Sequence, residues 1–279
     1  MADWIVLTAL DGALLNSAVV GAPDTDSVQP SAVDDERLRA AIAQLKEQNV
    51  PVIVFTERDR TELEPVRQSL GFVDPFIVES GSAIFTPVSH NPFAPALGEK
   101  EDDYFVMALG CPYVQARAGL RVIANVVSHP LKGFGDFTVP QLQKMAKLSE
   151  AASHQAKARE FSELFMTPKA VEADALRQAA EEMGFEVILR EPEESRFSEL
   201  LGAGTSLIAA VKTLLAAYQA QSAPGQNLKI MAISNRSSDL SALAEVSDEL
   251  GIADWQSVLV ETATEDWLGA IASVLPTKS

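Results

Sequence analysis

An α/β fold built on a largely parallel sheet is the architecture this sequence predicts, and three observations predict it. Apolar runs at 4–7, 51–55 and 76–78 have the character of fully buried strands. Helix-period patterns fill the stretches between them. Each run empties into a polar loop: Asp11-Gly12, then 56–60, then 79–82. In open sheets of this kind ligands bind beyond the carboxyl ends of the strands, so Asp11 falls where chemistry is expected.

In chain order, residues 18–34 are rich in Ala, Ser, Pro and Asp and read as a loop. Asp34 or Asp35 is the expected cap of a helix to Gln48, with Leu38, Ile42 and Leu45 at helical spacing. A second helix runs to Leu70, where Gly71 stops it. Pro87, Pro92 and Pro95 mark a boundary. Beyond it come a strand at 104–110 and helices at 113–127, 139–148, 149–158 and 173–183. Gly184 closes the last of these, and a strand at 185–189 follows. The C-terminal part reads as a helix at 207–218, a strand at 229–233, a helix at 240–250, a strand at 258–260 and a terminal helix at 267–275.

The chain has 279 residues, and 47% are hydrophobic, enough for one large domain or two modest ones and against disorder. No apolar run approaches the ~20 residues of a membrane helix. No basic segment precedes the first apolar run, so no signal peptide is expected. Cys111 is the single cysteine, which rules out an intramolecular disulfide and fits a cytoplasmic location. A net charge of −17 argues against nucleic-acid binding through phosphate contacts. His90, His129 and His154 have no metal-ligand spacing and read as surface histidines, and Cys111 has no nearby base to activate it.

The segment 4–17 resembles the first motif of the haloacid dehalogenase-like phosphatases, Asp-x-Asp-Gly-Thr-Leu. Ala9 stands at the first Asp, Asp11 at the second, Gly12 matches, and Ala13 replaces Thr. Residues 75–85 look like the Pro-Phe-Ile-Val-Glu-Asn-Gly-Gly-Ala-Ile-Phe segment of mannosyl-3-phosphoglycerate phosphatases, with Ser80 for Asn and Ser82 for Gly. Gly133-Phe134-Gly135-Asp136 and Arg159-Glu160-Phe161-Ser162-Glu163 are similar to that family's cap segments, and Arg196-Phe197 to its return to the core. The resemblance covers nearly the whole chain. It implies a Rossmann-like parallel-sheet core at 1–88 and 195–279, with an α+β cap at 89–194 inserted between the second and third motifs.

The same resemblance assigns roles. The nucleophile position is Ala9, whose methyl can neither attack phosphorus nor hold a metal. The acid/base position is Asp11, and Thr56 is the hydroxyl that holds phosphate. The motif-three lysine position falls on Thr205, in the stretch 202–206. In the metal motif Asn235 replaces the first Asp, while Asp239 is retained. Cap residues Gly133, Gly135, Asp136, Arg159 and Ser162 would face the substrate, with Arg159 suited to a carboxylate. Against this stand ordinary readings: Asp11-Gly12 as a turn, Asp239 as a helix cap, and Arg159 paired with Glu163 at i,i+4. Thr8 should face away from Ala9, and Lys212 substitutes for the lost lysine only if the alignment shifts by two helical turns.

Phosphoryl transfer through an aspartyl-phosphate needs a nucleophile, an acid/base, a lysine and a metal held by carboxylates. Three of these parts are missing, so an engineered Asp→Ala trap, which explains Ala9 alone, is a poor account. The expectation is a catalytically impaired phosphatase homologue with no cofactor, binding a phosphorylated sugar acid, a related anion or a partner protein in the cap–core cleft. The alternatives are an active magnesium-dependent phosphatase with unusual catalytic residues and a pure interaction module with a relic cleft.

Overall fold

The computed structural model describes residues 4–15, 36–88, 94–190, 195–223 and 226–274. The expected loop at 18–34, the caps Asp34 and Asp35, His90 and Pro92 lie outside the described residues. The first part of the chain forms β1 (Trp4–Ala9), α1 (Glu36–Glu47), β2 (Val52–Phe55), α2 (Arg60–Leu70), β3 (Phe76–Val78), β4 (Ala83–Pro87), β5 (Glu99–Glu101) and β6 (Tyr104–Ala108). Then come α3 (Tyr113–Val126), α4 (Val139–Ala146), α5 (Glu150–Gln155), β7 (Glu163–Met166), α6 (Ala173–Glu182) and β8 (Phe185–Ile188). The last part gives β9 (Phe197–Gly202), α7 (Leu207–Gln221), β10 (Lys229–Ser234), α8 (Ser237–Leu250), β11 (Asp254–Leu259) and α9 (Glu265–Ala272).

Eight strands form one sheet in the order β11-β10-β1-β2-β3-β4-β6-β5, and three form another, β7-β9-β8. In the large sheet β11, β10, β1, β2 and β3 run parallel. β4, β6 and β5 extend it antiparallel. The central strand β1 is buried on both faces, as its unbroken apolar sequence requires. Because β1, β2 and β10 are parallel neighbours, their carboxyl ends share one edge of the sheet. Ala9 lies opposite Phe55, and Thr8 opposite Ile233. Three loops far apart in sequence are brought together there.

Local signals in the sequence explain several boundaries. Asp59 caps α2 by accepting the Thr61 and Glu62 amide N–H groups, and Gly71 ends the helix with φ at 78°. Leu38, Ile42 and Leu45 form the buried face of α1. Trp267 of α9 is fully buried and donates its indole N–H to Thr8 Oγ1 at 3.1 Å. Thr8 therefore faces α9, and alternation turns Ala9 to the opposite face of the sheet.

The sheets divide the chain differently from the boundaries the sequence suggested. Residues 99–108, placed by sequence in the cap, are strands of the large sheet. Tyr104 is held there by edge-on contacts with Phe76 and Phe85, each with ring centroids 5.7 Å apart. Conversely β9, expected in the core segment, is the central strand of the small sheet. An apolar alternation shows that a stretch is a strand but not which sheet it joins. The last strand also begins earlier than expected, at Asp254, because β11 is an edge strand with mostly exposed polar side chains.

Candidate functional site

At the shared edge of β1, β2 and β10 lies a cavity of about 340 Å³. Ala9, Asp11, Thr56, Thr205, Asn235 and Asp239 all line it. These six come from four separate stretches of sequence, and they are the positions expected to carry or to have lost chemistry. Glu186 and Arg190, in and just after β8, close the cavity from the small-sheet side. A volume in this range suits a small ligand.

The loop after β1 is set by its own backbone. Leu14 N–H donates to Ala9 O and Leu15 N–H to Leu10 O, which folds 10–15 back on the strand end. Gly12 has φ at 76°, and a Cβ there would strike the Asn235 side chain at 2.1 Å. So Asn235 is packed directly over the turn.

Asp11 is engaged by Arg58. The Arg58 Nη2 donates to Asp11 Oδ1 at 2.5 Å, and Nε donates to both carboxylate oxygens at 3.1 Å. Thr56 Oγ1 donates to Asp11 Oδ2 at 3.2 Å and accepts from the Arg58 amide at 3.1 Å. Burial pulls the Arg58 guanidinium down, but the Asp11 carboxylate outweighs it and holds it above its ordinary value. The acid/base position and the phosphate-holding hydroxyl are thus tied to each other and to an arginine.

The remaining positions are similarly engaged. Thr205, buried, donates its hydroxyl to Leu109 O at 3.0 Å. Asp239 is not the cap of α8. The cap position is Arg236, and Asp239 sits in the first turn, where Oδ2 accepts from Ser234 Oγ at 2.9 Å. Burial pushes the Asp239 carboxyl above the usual range, against the Ser234 hydrogen bond. Lys212 is exposed and pairs with Glu249, so it does not take the lysine's place. Among the described residues no group of three or more His, Cys, Asp and Glu gathers in a way that could hold a metal ion.

Comparisons with known proteins bear on the family and the fold. Residues 6–102 match the model of a family described as haloacid dehalogenase-like hydrolase. A glucosyl-3-phosphoglycerate/mannosyl-3-phosphoglycerate phosphatase of Persephonella marina is 29% identical over 203 residues, covering 72% of this chain and 67% of that one. A mannosyl-3-phosphoglycerate phosphatase of Pyrococcus furiosus is 31% identical over 140 residues, 50% of this chain and 57% of the relative. A solved phosphatase of the haloalkanoate enzyme superfamily from Bacteroides thetaiotaomicron shares the fold, with a TM-score of 0.56, 15% identity, and 98% and 94% of the two chains covered.

Over residues 6–102 this chain is haloacid dehalogenase-like. The two relatives named above are phosphatases of phosphorylated sugar acids.

The cap positions picked out in this haloacid dehalogenase-like chain lie elsewhere than the 340 Å³ cavity. Gly133 and Gly135 make room for neighbours: a Cβ on Gly133 would meet Glu163 Oε1 at 2.0 Å, and one on Gly135 would meet Tyr113 Oη at 2.6 Å. Asp136 is partly exposed and pairs with Arg117 at 2.9 Å and Arg121 at 3.4 Å. Arg159 does not pair with Glu163, whose Oε1 accepts the Gly135 N–H at 3.0 Å. Instead the buried Arg159 donates to Ser162 Oγ at 2.8 Å, to Glu57 O at 3.0 Å and to Glu199 Oε1. Glu79, buried, accepts from the Glu160 and Phe161 amides and from Ser162 Oγ. Ser80 Oγ donates to Glu199 Oε2 at 2.5 Å. Arg159 borders a second, 40 Å³ cavity, but each of its three nitrogens donates to a protein group.

Sequence reasoning missed the three arginines around the main cavity, Arg58, Arg190 and Arg236. Arg58 stood in a visible charged run, 57–60, directly after the second strand. Nothing local marked Arg190 or Arg236. Cys111 is half-buried, and burial pushes its thiol up, which fits an inert residue. No helix of the described residues is long and apolar enough to cross a membrane.

Proposed function

We propose that this chain is a catalytically impaired phosphatase homologue that binds a small phosphorylated or anionic ligand in the cavity between its two sheets. The observation that carries the reading is the methyl group of Ala9 at the end of β1, on the wall of the cavity, where an aspartyl-phosphate mechanism needs a carboxylate. The other positions strengthen it. Asp11 is neutralised by Arg58, and Thr205 offers a hydroxyl already spent on a backbone carbonyl.

Magnesium, which the family implies, does not fit these residues. It wants carboxylate oxygens in near-octahedral array. Ala9 supplies none, Asn235 is an amide packed over Gly12, and the Asp11 carboxylate is engaged by a guanidinium. Asp239 alone is left, and its burial disfavours the charged form. These residues support no step that runs through the metal.

The relatives are phosphatases, and this favours a second reading in which the chain retains turnover. Asp11 would then have to attack phosphorus from within its pair with Arg58. One assay separates the readings: hydrolysis of mannosyl-3-phosphoglycerate and related phosphorylated sugar acids with magnesium, for the unaltered protein and for Ala9→Asp. The expected result is no turnover above background by either, because the lysine and metal positions remain altered. Turnover by the unaltered protein overturns the reading. Turnover by Ala9→Asp alone would show that the remaining groups suffice.

A further inference from the structure

Glu57 lies in the loop after β2, on the wall of the 340 Å³ cavity. Its Oε1 accepts from two guanidinium groups at once. Arg236 Nη1 donates from the β10–α8 link at 2.5 Å, and Arg190 Nη2 donates from beyond β8. The two arginines follow strands of different sheets and meet at this oxygen, so two cations share one carboxylate. Nearby, Asp11 is matched by Arg58, burial disfavours charge on Asp239, and Glu186 is exposed.

Both arginines are held in place from behind. The Arg190 amide donates to Ser198 Oγ at 3.2 Å, and the Arg236 amide donates to Ser234 Oγ at 3.1 Å. Their side chains are 15% and 30% exposed and that of Glu57 is 25% exposed, so an entering solute can reach all three. Guanidinium forks bind phosphate and carboxylate groups by paired hydrogen bonds. A partly exposed ion pair within the protein is weak enough to be exchanged for such a ligand.

We propose that Arg190 and Arg236 form an anion clamp spanning the two sheets, and that Glu57 is an internal stand-in which a small phosphate- or carboxylate-bearing ligand displaces. This deepens the binding reading above and rests on it. The clamp differs from the aligned phosphate-holding position, because Thr56 is tied to Asp11.

The test is calorimetric titration of the full chain with 3-phosphoglycerate and with inorganic phosphate, for the unaltered protein and for Glu57→Gln, Arg190→Ala and Arg236→Ala. Thermal melts check that each variant is folded, and Glu57→Ser replaces Glu57→Gln if that one is not. Glu57→Gln is expected to bind at least fivefold more tightly, and each arginine variant at least tenfold more weakly. Equal binding by the arginine variants and the unaltered protein would overturn the clamp. So would no binding by either the unaltered protein or Glu57→Gln. Weaker binding by Glu57→Gln would overturn the stand-in role, since Glu57 would then be holding the arginines for the ligand. Turnover of a phosphate ester by the unaltered protein would overturn the impaired-enzyme reading while leaving the binding ratios to judge the clamp.

Discussion

Around Arg159 the charges are buried and matched, whereas around Asp11 they line open space. The Arg159 cluster draws Glu79 from the end of β3, Glu199 from β9 and Ser162 from the link before β7 into one network, with Arg159, Glu79 and Glu199 side chains 3% exposed or less. It joins the large sheet to the small one. The cavity cluster, Asp11–Arg58 and Arg190–Glu57–Arg236, is partly exposed. The segments 75–85 and 159–163, which resemble phosphatase motifs in sequence, contribute to the junction. Ala9, Thr205 and Asn235, read from the sequence as departures from those motifs, lie on the cavity wall. The difference separates two jobs for charge: buried, matched groups tie the sheets together, while the partly exposed pairs beside them are the ones a solute can reach.

The largest effect should come from opening the junction. Arg159→Ala leaves two buried carboxylates without their cation and is expected to cost about 3–5 kcal/mol in urea unfolding. A loss below about 1 kcal/mol would mean that the network is not what joins the sheets. Glu62 sharpens the comparison, because it lines the small cavity between the two clusters together with Asp11 and Arg159. Burial, then the neighbouring Asp59, push its carboxyl from 4.5 up to about 7. The folded chain then keeps a proton that the unfolded chain releases, so stability falls as pH rises from 4.5 to about 7, and the loss is complete above that. Glu62→Gln should remove this slope and stabilise the protein by roughly 1–3 kcal/mol at about pH 8. An unchanged pH dependence of melting would refute the assignment.

Beside the main cavity, Arg58→Ala strips Asp11 of its guanidinium while leaving Thr56. The expected cost is about 1–3 kcal/mol, with most of it recovered in Arg58→Ala/Asp11→Asn. Failure of the second change to recover stability would mean that Arg58 packs rather than pairs. The smallest effect belongs to Lys212→Ala, which removes an exposed ion pair remote from both clusters. Chemical denaturation should show a change within about 0.5 kcal/mol, and anion binding should not change. A measurable loss of binding would reinstate Lys212 at the site.

The site was partly legible in the sequence. Six of the positions read from motifs line one cavity: five because a parallel sheet gathers the carboxyl ends of β1, β2 and β10, and Thr205 because β9 of the small sheet ends beside them. Gly133, Gly135, Asp136, Arg159 and Ser162 were equally visible as residues, yet their partners are protein groups. A resemblance shows that a residue matters to the fold or the ligand without saying which. That distinction rests on distance, as with Gly133, where Glu163 leaves no room for a Cβ.

By itself the sequence determined the order of strands and helices in the parallel half, since apolar run length, caps such as Asp59 and Gly71, and helical spacing are local properties. It also determined that Ala9 has no nucleophile, because that is a matter of covalent structure. Only the tertiary structure decided that 99–108 joins the large sheet and β9 the small one, and that Arg58, Arg190 and Arg236 converge on Asp11 and Glu57. Strand partners and ion partners are chosen by packing between segments up to 228 residues apart, and no local pattern records that choice.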